Sequence, residues 1–266
     1  MTASTDHADR WISLDGAVNV RDLGGLPLRG GGVTRFRRLL RSDNLQDLTG
    51  RDVRLLRDTL GLTDVVDLRT GAERSNEGAA PLDGEASVTV HHLSLLPRAG
   101  DEVKEVDGSV VMPWQGRDVD VPVKRRDAQT VYLAYLQDRP DSVVSALAAV
   151  ARADGAVLVH CAAGKDRTGV ISALALDLAG VERDATLTDF LLSGDRIDAI
   201  LGRLLSSDTY ADDLRGRARD THLPRAAAIE AVFALVDEAG GAERWLQQHG
   251  WTPALTDALR SRLRAV

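Results

Sequence analysis

Two periods of apolar residues alternate along the chain. In residues 49–60, Val53, Leu55, Leu56 and Leu60 recur at near-helical spacing, with Thr49 placed as an N-cap and Gly61 just past the end, so a helix is expected there. It runs into residues 62–68, a β-rich stretch ending at Arg69, and residues 88–95 supply another such stretch. Helical spacing returns over 128–138 and 141–152, Gly155 breaks it, and the short β-rich run 156–159 follows. Residues 169–178 are apolar almost all round and close at Gly180, which is the pattern of a helix buried against a sheet. Beyond Val181 the amphipathic runs near 183–205, 224–239, 241–249 and 253–264 all predict helix.

Less patterned stretches lie between these. Residues 1–10 are polar, and residues 11–28 form an extended or turn-rich segment whose paired Gly24 and Gly25 predict a tight turn. Residues 97–127 carry Gly, Pro and many charges, with Val110, Val111, Met112 and Trp114 as their apolar cluster, and are expected to form a lid-like insertion. No linker or repeat divides the chain. The expected architecture is α/β, a single domain over 1–266: a central, partly parallel sheet flanked by helices, with a helical C-terminal layer and the insertion at 97–127.

Composition narrows the partners more than the fold. The chain has 266 residues, 44% hydrophobic and 27% charged, enough to bury a substantial core. Its net charge of −7 gives no long-range attraction for nucleic acid or an anionic membrane, so neither is an expected partner, and any anionic ligand must be captured locally. No apolar run approaches the roughly 18 residues of a transmembrane segment. The start, MTASTDHADRW, has neither a basic nor an apolar targeting region, which makes a cytoplasmic location the default expectation. Cys161 is the one cysteine, so an internal disulfide framework is excluded and its thiol is either chemical or space-filling.

Its neighbours decide between these. Cys161 ends a strand-like run and is followed by five residues, Arg167, Thr168 and then the buried helix. That arrangement makes an anion socket: the N–H groups of Ala162, Ala163, Gly164, Lys165 and the residues up to Arg167 can point inward, the helix N-terminus adds positive potential, and Arg167 can fork two phosphate oxygens. The same field stabilises a thiolate, and the Thr168 hydroxyl is placed to hydrogen-bond the sulfur when it departs from a phospho-cysteine. A lone cysteine is more often a small buried hydrophobe, but Arg167 and Thr168 in register reverse that reading. A nucleotide P-loop is rejected, because Asp166 stands where Ser or Thr is required. His160 is read as support for the loop, His91 and His92 as solvated surface, and the basic run 124–126 as a solvated face. Arg21, Asp22, Arg41, Asp43 and Arg69 can either contact substrate or pair with one another.

These residues resemble the cysteine-dependent protein tyrosine phosphatase superfamily, whose signature is His-Cys, five residues, Arg, then Ser or Thr. The order of Asn19-Val-Arg-Asp-Leu-Gly-Gly25, Arg41-Ser-Asp-Asn-Leu45, Asp67-Leu-Arg69 and Lys165-Asp166 looks like the bacterial atypical tyrosine/serine phosphatases and spans most of the chain. The resemblance implies that Cys161 is the nucleophile and Arg167 the phosphate ligand. The backbone from Ala162 to Thr168 would complete the cradle, with no metal or cofactor. It leaves phosphotyrosine, phosphoserine/threonine and phosphoinositides as substrates, and the charge of Lys165, in a loop similar to those of phosphoinositide phosphatases, keeps lipid head groups in view. Many relatives supply a general acid from a Trp-Pro-Asp loop that this chain lacks. Asp166 is the first candidate in its place, with Asp67, Asp118 and Asp120 as alternates. Two rival classes use a similar loop: a phosphate-binding module with little turnover, and a sulfurtransferase.

Overall fold

The sheet is built around a strand that no water reaches. In the computed structural model, which describes residues 10–96, 104–106, 109–111 and 128–265, the strands are β1 (Arg21–Asp22), β2 (Leu39–Ser42), β3 (Leu62–Asp67), β4 (Thr89–His92), β5 (Lys104–Val106), β6 (Ser109–Val111) and β7 (Ala156–His160). Five of them form one sheet in the order β1-β2-β7-β3-β4, in which β2, β7, β3 and β4 run parallel and β1 runs antiparallel at one edge. β5 and β6 pair as a separate antiparallel hairpin. They lie in the segment expected to form a lid, whose remaining residues, with Met112, Trp114, Asp118, Asp120 and the basic run 124–126, fall outside the described residues.

Every residue of β7 is buried. Val157 and Val159 join the core on one face of the sheet, and Ala156 and Leu158 the core on the other. A central parallel strand covered on both sides must be a continuous apolar run, which is why this stretch lacks strand alternation. Each buried Val or Leu contributes on the order of 1.5–3 kcal/mol.

The helices are α1 (Gly50–Arg54), α2 (Gly71–Glu77), α3 (Ala128–Asp138), α4 (Pro140–Arg152), α5 (Asp166–Ala179), α6 (Arg183–Leu191), α7 (Ile197–Leu205), α8 (Ala211–Leu214), α9 (Ala226–Glu238), α10 (Ala242–Gln247) and α11 (Pro253–Leu263). Thr49 caps α1 through a reciprocal box with Asp52, and the helix continues as a wider π-type turn over Leu55–Thr59. α3, α4, α5, α9, α10 and α11 bury Leu136, Leu147, Leu174, Val232, Leu246 and Leu259 against one face of the sheet, while Val53 and Leu56 cover the other with Val20 and Leu82. α5 is buried from Arg167 to Ala179 and ends at Gly180, whose φ of 85° is the left-handed cap that glycine adopts without strain. It starts at Asp166, three residues before the apolar run, with a polar first turn of Asp166, Arg167 and Thr168.

Register fixes where that turn sits. His160 at the end of β7 lies opposite Ser42 of β2 and Asp67 of β3, so the three strands end together and Cys161, Asp43 and Leu68 leave the sheet at one carboxyl edge. At the outer edge His91 Nε2 meets Asp64 at 2.8 Å and His92 Nε2 meets the Arg69 carbonyl at 2.7 Å, so both rings, expected to be solvated, are tied to the protein.

Candidate active site

Cys161, 2% exposed, is the first residue after β7, and the Thr168 hydroxyl in the first turn of α5 donates to its Sγ at 3.2 Å. The loop between them is held by its carbonyls. The Asn44 N–H binds the Ala162 carbonyl at 3.0 Å, Asn19 Nδ2 binds those of Ala163 and Gly164 at 3.0 and 3.2 Å, and Arg41 Nη2 binds that of Gly164 at 2.9 Å. Across a trans peptide the carbonyl and the next N–H point opposite ways, so outward carbonyls turn the amides of Ala163, Gly164 and Lys165 inward. Gly164 has a φ of 64°, and a Cβ there would lie 2.5 Å from the Asp43 nitrogen and the Ser42 oxygen, so only glycine fits against β2.

A cage of charge holds those anchors. Buried Asp189 of α6 receives Arg10 at 2.7 Å, Arg21 at 3.1 Å and Arg41 at 2.9 Å. Burial alone would raise its carboxyl, but the charges of Arg21, Arg41 and Arg10 hold it well below the usual range. Burial and the neighbouring Arg41 bring Arg21 down to about 9. Asp43 accepts the N–H groups of Val18 and Asn19 at 3.0 and 2.9 Å and pairs with Arg203. Asp22 accepts those of Gly24 and Arg37 at 2.8 and 2.7 Å. Arg21, Arg41 and Asp43 thus pair with Asp189 and Arg203 rather than with one another, and Asp22 ties down the turn at Gly24 and the backbone of Arg37.

The Arg167 guanidinium forks onto Glu73 at 2.6 and 2.8 Å and also donates to the Leu68 carbonyl at 3.3 Å. Glu73 is fully buried in the first turn of α2, where it also accepts the Thr70 N–H at 2.8 Å and the Tyr210 hydroxyl at 3.2 Å. Its burial would raise the carboxyl; the charge and fork of Arg167 outweigh that and hold it down. The plane of Arg167 is therefore set before any ligand arrives.

Asp166 opens α5 with its side chain 35% exposed. Oδ1 accepts the Tyr132 hydroxyl, and Oδ2 lies 3.7 Å from Lys165 Nζ, which donates to the His222 carbonyl. Asp67, the alternate acid within the described residues, is bound by Arg69 at 2.7 Å and Arg74 at 3.3 Å and faces His160 at 3.6 Å. Although burial would raise it, His160 and Arg69 hold its carboxyl far below the usual range, so it has no proton to give near neutral pH. Burial pushes His160 down to about 4, so that ring is neutral. Beside Ala162 opens a cavity of about 290 Å³ whose lining includes Asp47, Glu77, Asp208, Arg203 and Tyr210. Among the described residues no group of three or more His, Cys, Asp or Glu side chains converges as a metal site.

Residues 12–265 match the model of the tyrosine phosphatase family. The chain belongs to this family. It is 32% identical over 238 residues to a tyrosine-protein phosphatase of Nostoc commune, covering 84% of this chain and 73% of the relative. It is 32% identical over 212 residues, 72% of each chain, to the triple specificity protein phosphatase PtpB of Mycobacterium tuberculosis. A putative tyrosine-protein phosphatase of Cupriavidus necator shares 32% identity over 196 residues, 70% of this chain and 63% of the relative. Family and relatives make the protein a phosphatase of the PtpB-like bacterial group. No helix among its described residues is long and apolar enough to cross a membrane.

Sequence reasoning passed over Glu73, Tyr132 and Asp189 of this phosphatase. Glu73 did carry a signal, the Thr70-x-x-Glu73 spacing of a capping box, but that spacing announces a helix start and says nothing of Arg167. Tyr132 and Asp189 meet the site across 34 and 148 or more residues of chain, and no local pattern marks such partners.

Proposed function

We propose that this phosphatase hydrolyses phosphomonoesters through a phospho-cysteine intermediate, with Cys161 as nucleophile, Arg167 as phosphate ligand and Asp166 as general acid and base. The observation that carries the reading is the Thr168 hydroxyl 3.2 Å from Cys161 Sγ, in a loop whose Ala162, Ala163 and Gly164 carbonyls are taken up by Asn44, Asn19 and Arg41. In the first step Sγ attacks phosphorus, the bond from phosphorus to the ester oxygen breaks, and Asp166 gives that oxygen its proton. In the second, water attacks the phosphoryl group, Asp166 takes its proton, and the S–P bond breaks with the electron pair returning to a sulfur that Thr168 steadies. Throughout, Arg167 and the amides from Ala162 to Thr168 hold the equatorial oxygens.

The substrates proposed are proteins phosphorylated on tyrosine, serine or threonine ahead of phosphoinositides. Lys165 would suit a lipid head group, but the cavity beside the socket carries Asp47, Glu77 and Asp208 against Arg203, a balance that repels further phosphates. A thiolate nucleophile also needs a reducing setting, so action in the cytoplasm belongs to the proposal.

The test is hydrolysis of an aryl phosphate in the presence of EDTA by the wild-type protein, Cys161→Ser and Arg167→Ala. Turnover is expected to vanish in both variants, with phosphate still bound by Cys161→Ser and lost in Arg167→Ala. Turnover persisting in Cys161→Ser would refute the mechanism. Tight phosphate binding without wild-type turnover would instead favour a binding module, and a persulfide on Cys161 after thiosulfate a sulfurtransferase. Faster hydrolysis of a phosphoinositide than of a phosphotyrosyl peptide would overturn the substrate order.

A further inference from the structure

Asp166 is not left to find its own orientation. Tyr132 of α3 is 2% exposed, and its hydroxyl donates to Oδ1 of Asp166. The ring is stacked on Tyr135 with centroids 5.9 Å apart and meets the edge of Phe190 at 6.2 Å. Phe190 also packs against the start of α5 so closely that a Cβ on Gly169 would lie 2.8 Å from its ring. The same aromatic side chain thus locates both the phenol and the helix turn that carries Asp166. Lys165 Nζ approaches the other oxygen, Oδ2, at 3.7 Å while anchored on the His222 carbonyl.

We propose that Tyr132 is a positioning residue for the general acid: its hydroxyl occupies Oδ1 of Asp166, so that the proton exchanged with the leaving group and with water is carried on Oδ2. This rests on the reading of Asp166 as the acid. The phenol keeps its own proton through the cycle, since burial and the adjacent Asp166 charge push Tyr132 well above the ordinary tyrosine range. In the first step the proton on Oδ2 passes to the ester oxygen as its bond to phosphorus breaks, and the carboxylate formed is held by the Tyr132 hydroxyl on Oδ1 and the Lys165 charge near Oδ2. In the second step Oδ2 takes a proton from the attacking water, which restores the acid. Tyr132 donates to Oδ1 in both states and fixes the rotation of the carboxyl about its bond to the chain.

General acid catalysis matters most when the leaving oxygen is basic, which separates positioning from packing. We expect Tyr132→Phe, which removes one oxygen and leaves the aromatic stack in place, to lower kcat/KM roughly tenfold for phenyl phosphate and less than about twofold for p-nitrophenyl phosphate. Asp166→Asn should show the same selectivity with a larger loss, and Tyr132→Phe added to it should cost nothing further. An equal loss on both substrates, or a full additional loss in the double variant, would overturn the role of Tyr132 while leaving Asp166 as the acid. No change in Asp166→Asn on either substrate would remove the acid itself, and this inference with it.

Discussion

Arg167 could not serve a phosphate if it were free to turn, and Glu73 is what stops it. The fork at 2.6 and 2.8 Å takes an N–H from each Nη and fixes the plane of the guanidinium, so a phosphate would meet a cation already oriented. Removing the carboxylate leaves Arg167 buried without its partner, which costs on the order of 3–5 kcal/mol. Glu73→Ala is therefore expected to lower the thermal midpoint by about 6 °C or more and to reduce kcat/KM for an aryl phosphate by roughly 10²-fold. A normal kcat/KM in a folded Glu73→Ala protein would show that Arg167 orients itself. Tyr210, which donates to the same carboxylate at 3.2 Å, should matter much less, because a neutral hydrogen bond contributes about 1 kcal/mol.

At the scale of elements, three strand ends, one loop and the first turn of α5 have to meet. Gly164 is where they meet most tightly, with β2 backbone 2.5 Å from any added Cβ. Gly164→Ala is expected to abolish turnover while leaving most of the fold, since the strain falls on the loop and the loop carbonyls bound by Asn19 and Arg41 must shift. Circular dichroism close to wild type with loss of phosphate binding would fit this; wild-type activity would mean that the loop accommodates a left-handed alanine without moving its amides.

The same elements explain what the sequence made legible. Thr49, Gly61 and Gly180 mark helix ends through local backbone chemistry, so α1 and the close of α5 could be placed from the chain alone. Cys161, Arg167 and Thr168 sit within eight consecutive residues, so their juncture could be read as well. Asp189 holding Arg10, Arg21 and Arg41, or Tyr132 holding Asp166, depends on how α6 and α3 pack over the sheet edge, and charge spacing carries no trace of that. For the same reason the sequence leaves Asp67 as an alternate acid, although Arg69 and Arg74 bind its carboxylate.

Across the whole molecule the net charge is −7, yet the carboxyl edge of the sheet gathers Arg10, Arg21, Arg41, Arg69 and Arg167, all buried. On the proposed reading, recognition of phosphate is a local property of that edge. Each arginine is matched by a buried carboxylate of Asp189, Asp67 or Glu73, and this makes the fold sensitive to acid. Burial holds His160 neutral down to about 4, against 6.5 for an ordinary histidine. Because the unfolded chain takes up that proton first, stability falls as pH drops from about 6.5 to about 4, by at most ~3 kcal/mol at ~1.4 kcal/mol per pH unit. The lowered carboxyls of Asp67, Asp189 and Glu73 add a further loss at lower pH, as they are protonated. Thermal midpoints measured from pH 7 to pH 4 should decline steadily below about pH 6.5 in the wild type and much less in His160→Asn; parallel curves would show that His160 does not carry the effect.

The covalent intermediate is the central claim, and rapid quenching in acid during turnover of an aryl phosphate, followed by mass spectrometry of the peptide containing Cys161, tests it most directly. We predict one phosphoryl group on Cys161 in the wild type, accumulating further when Thr168 is replaced by Ala because the sulfur then departs more slowly. Steady product release with Cys161 unmodified at every quench time, in the wild type and in Thr168→Ala alike, would contradict the account.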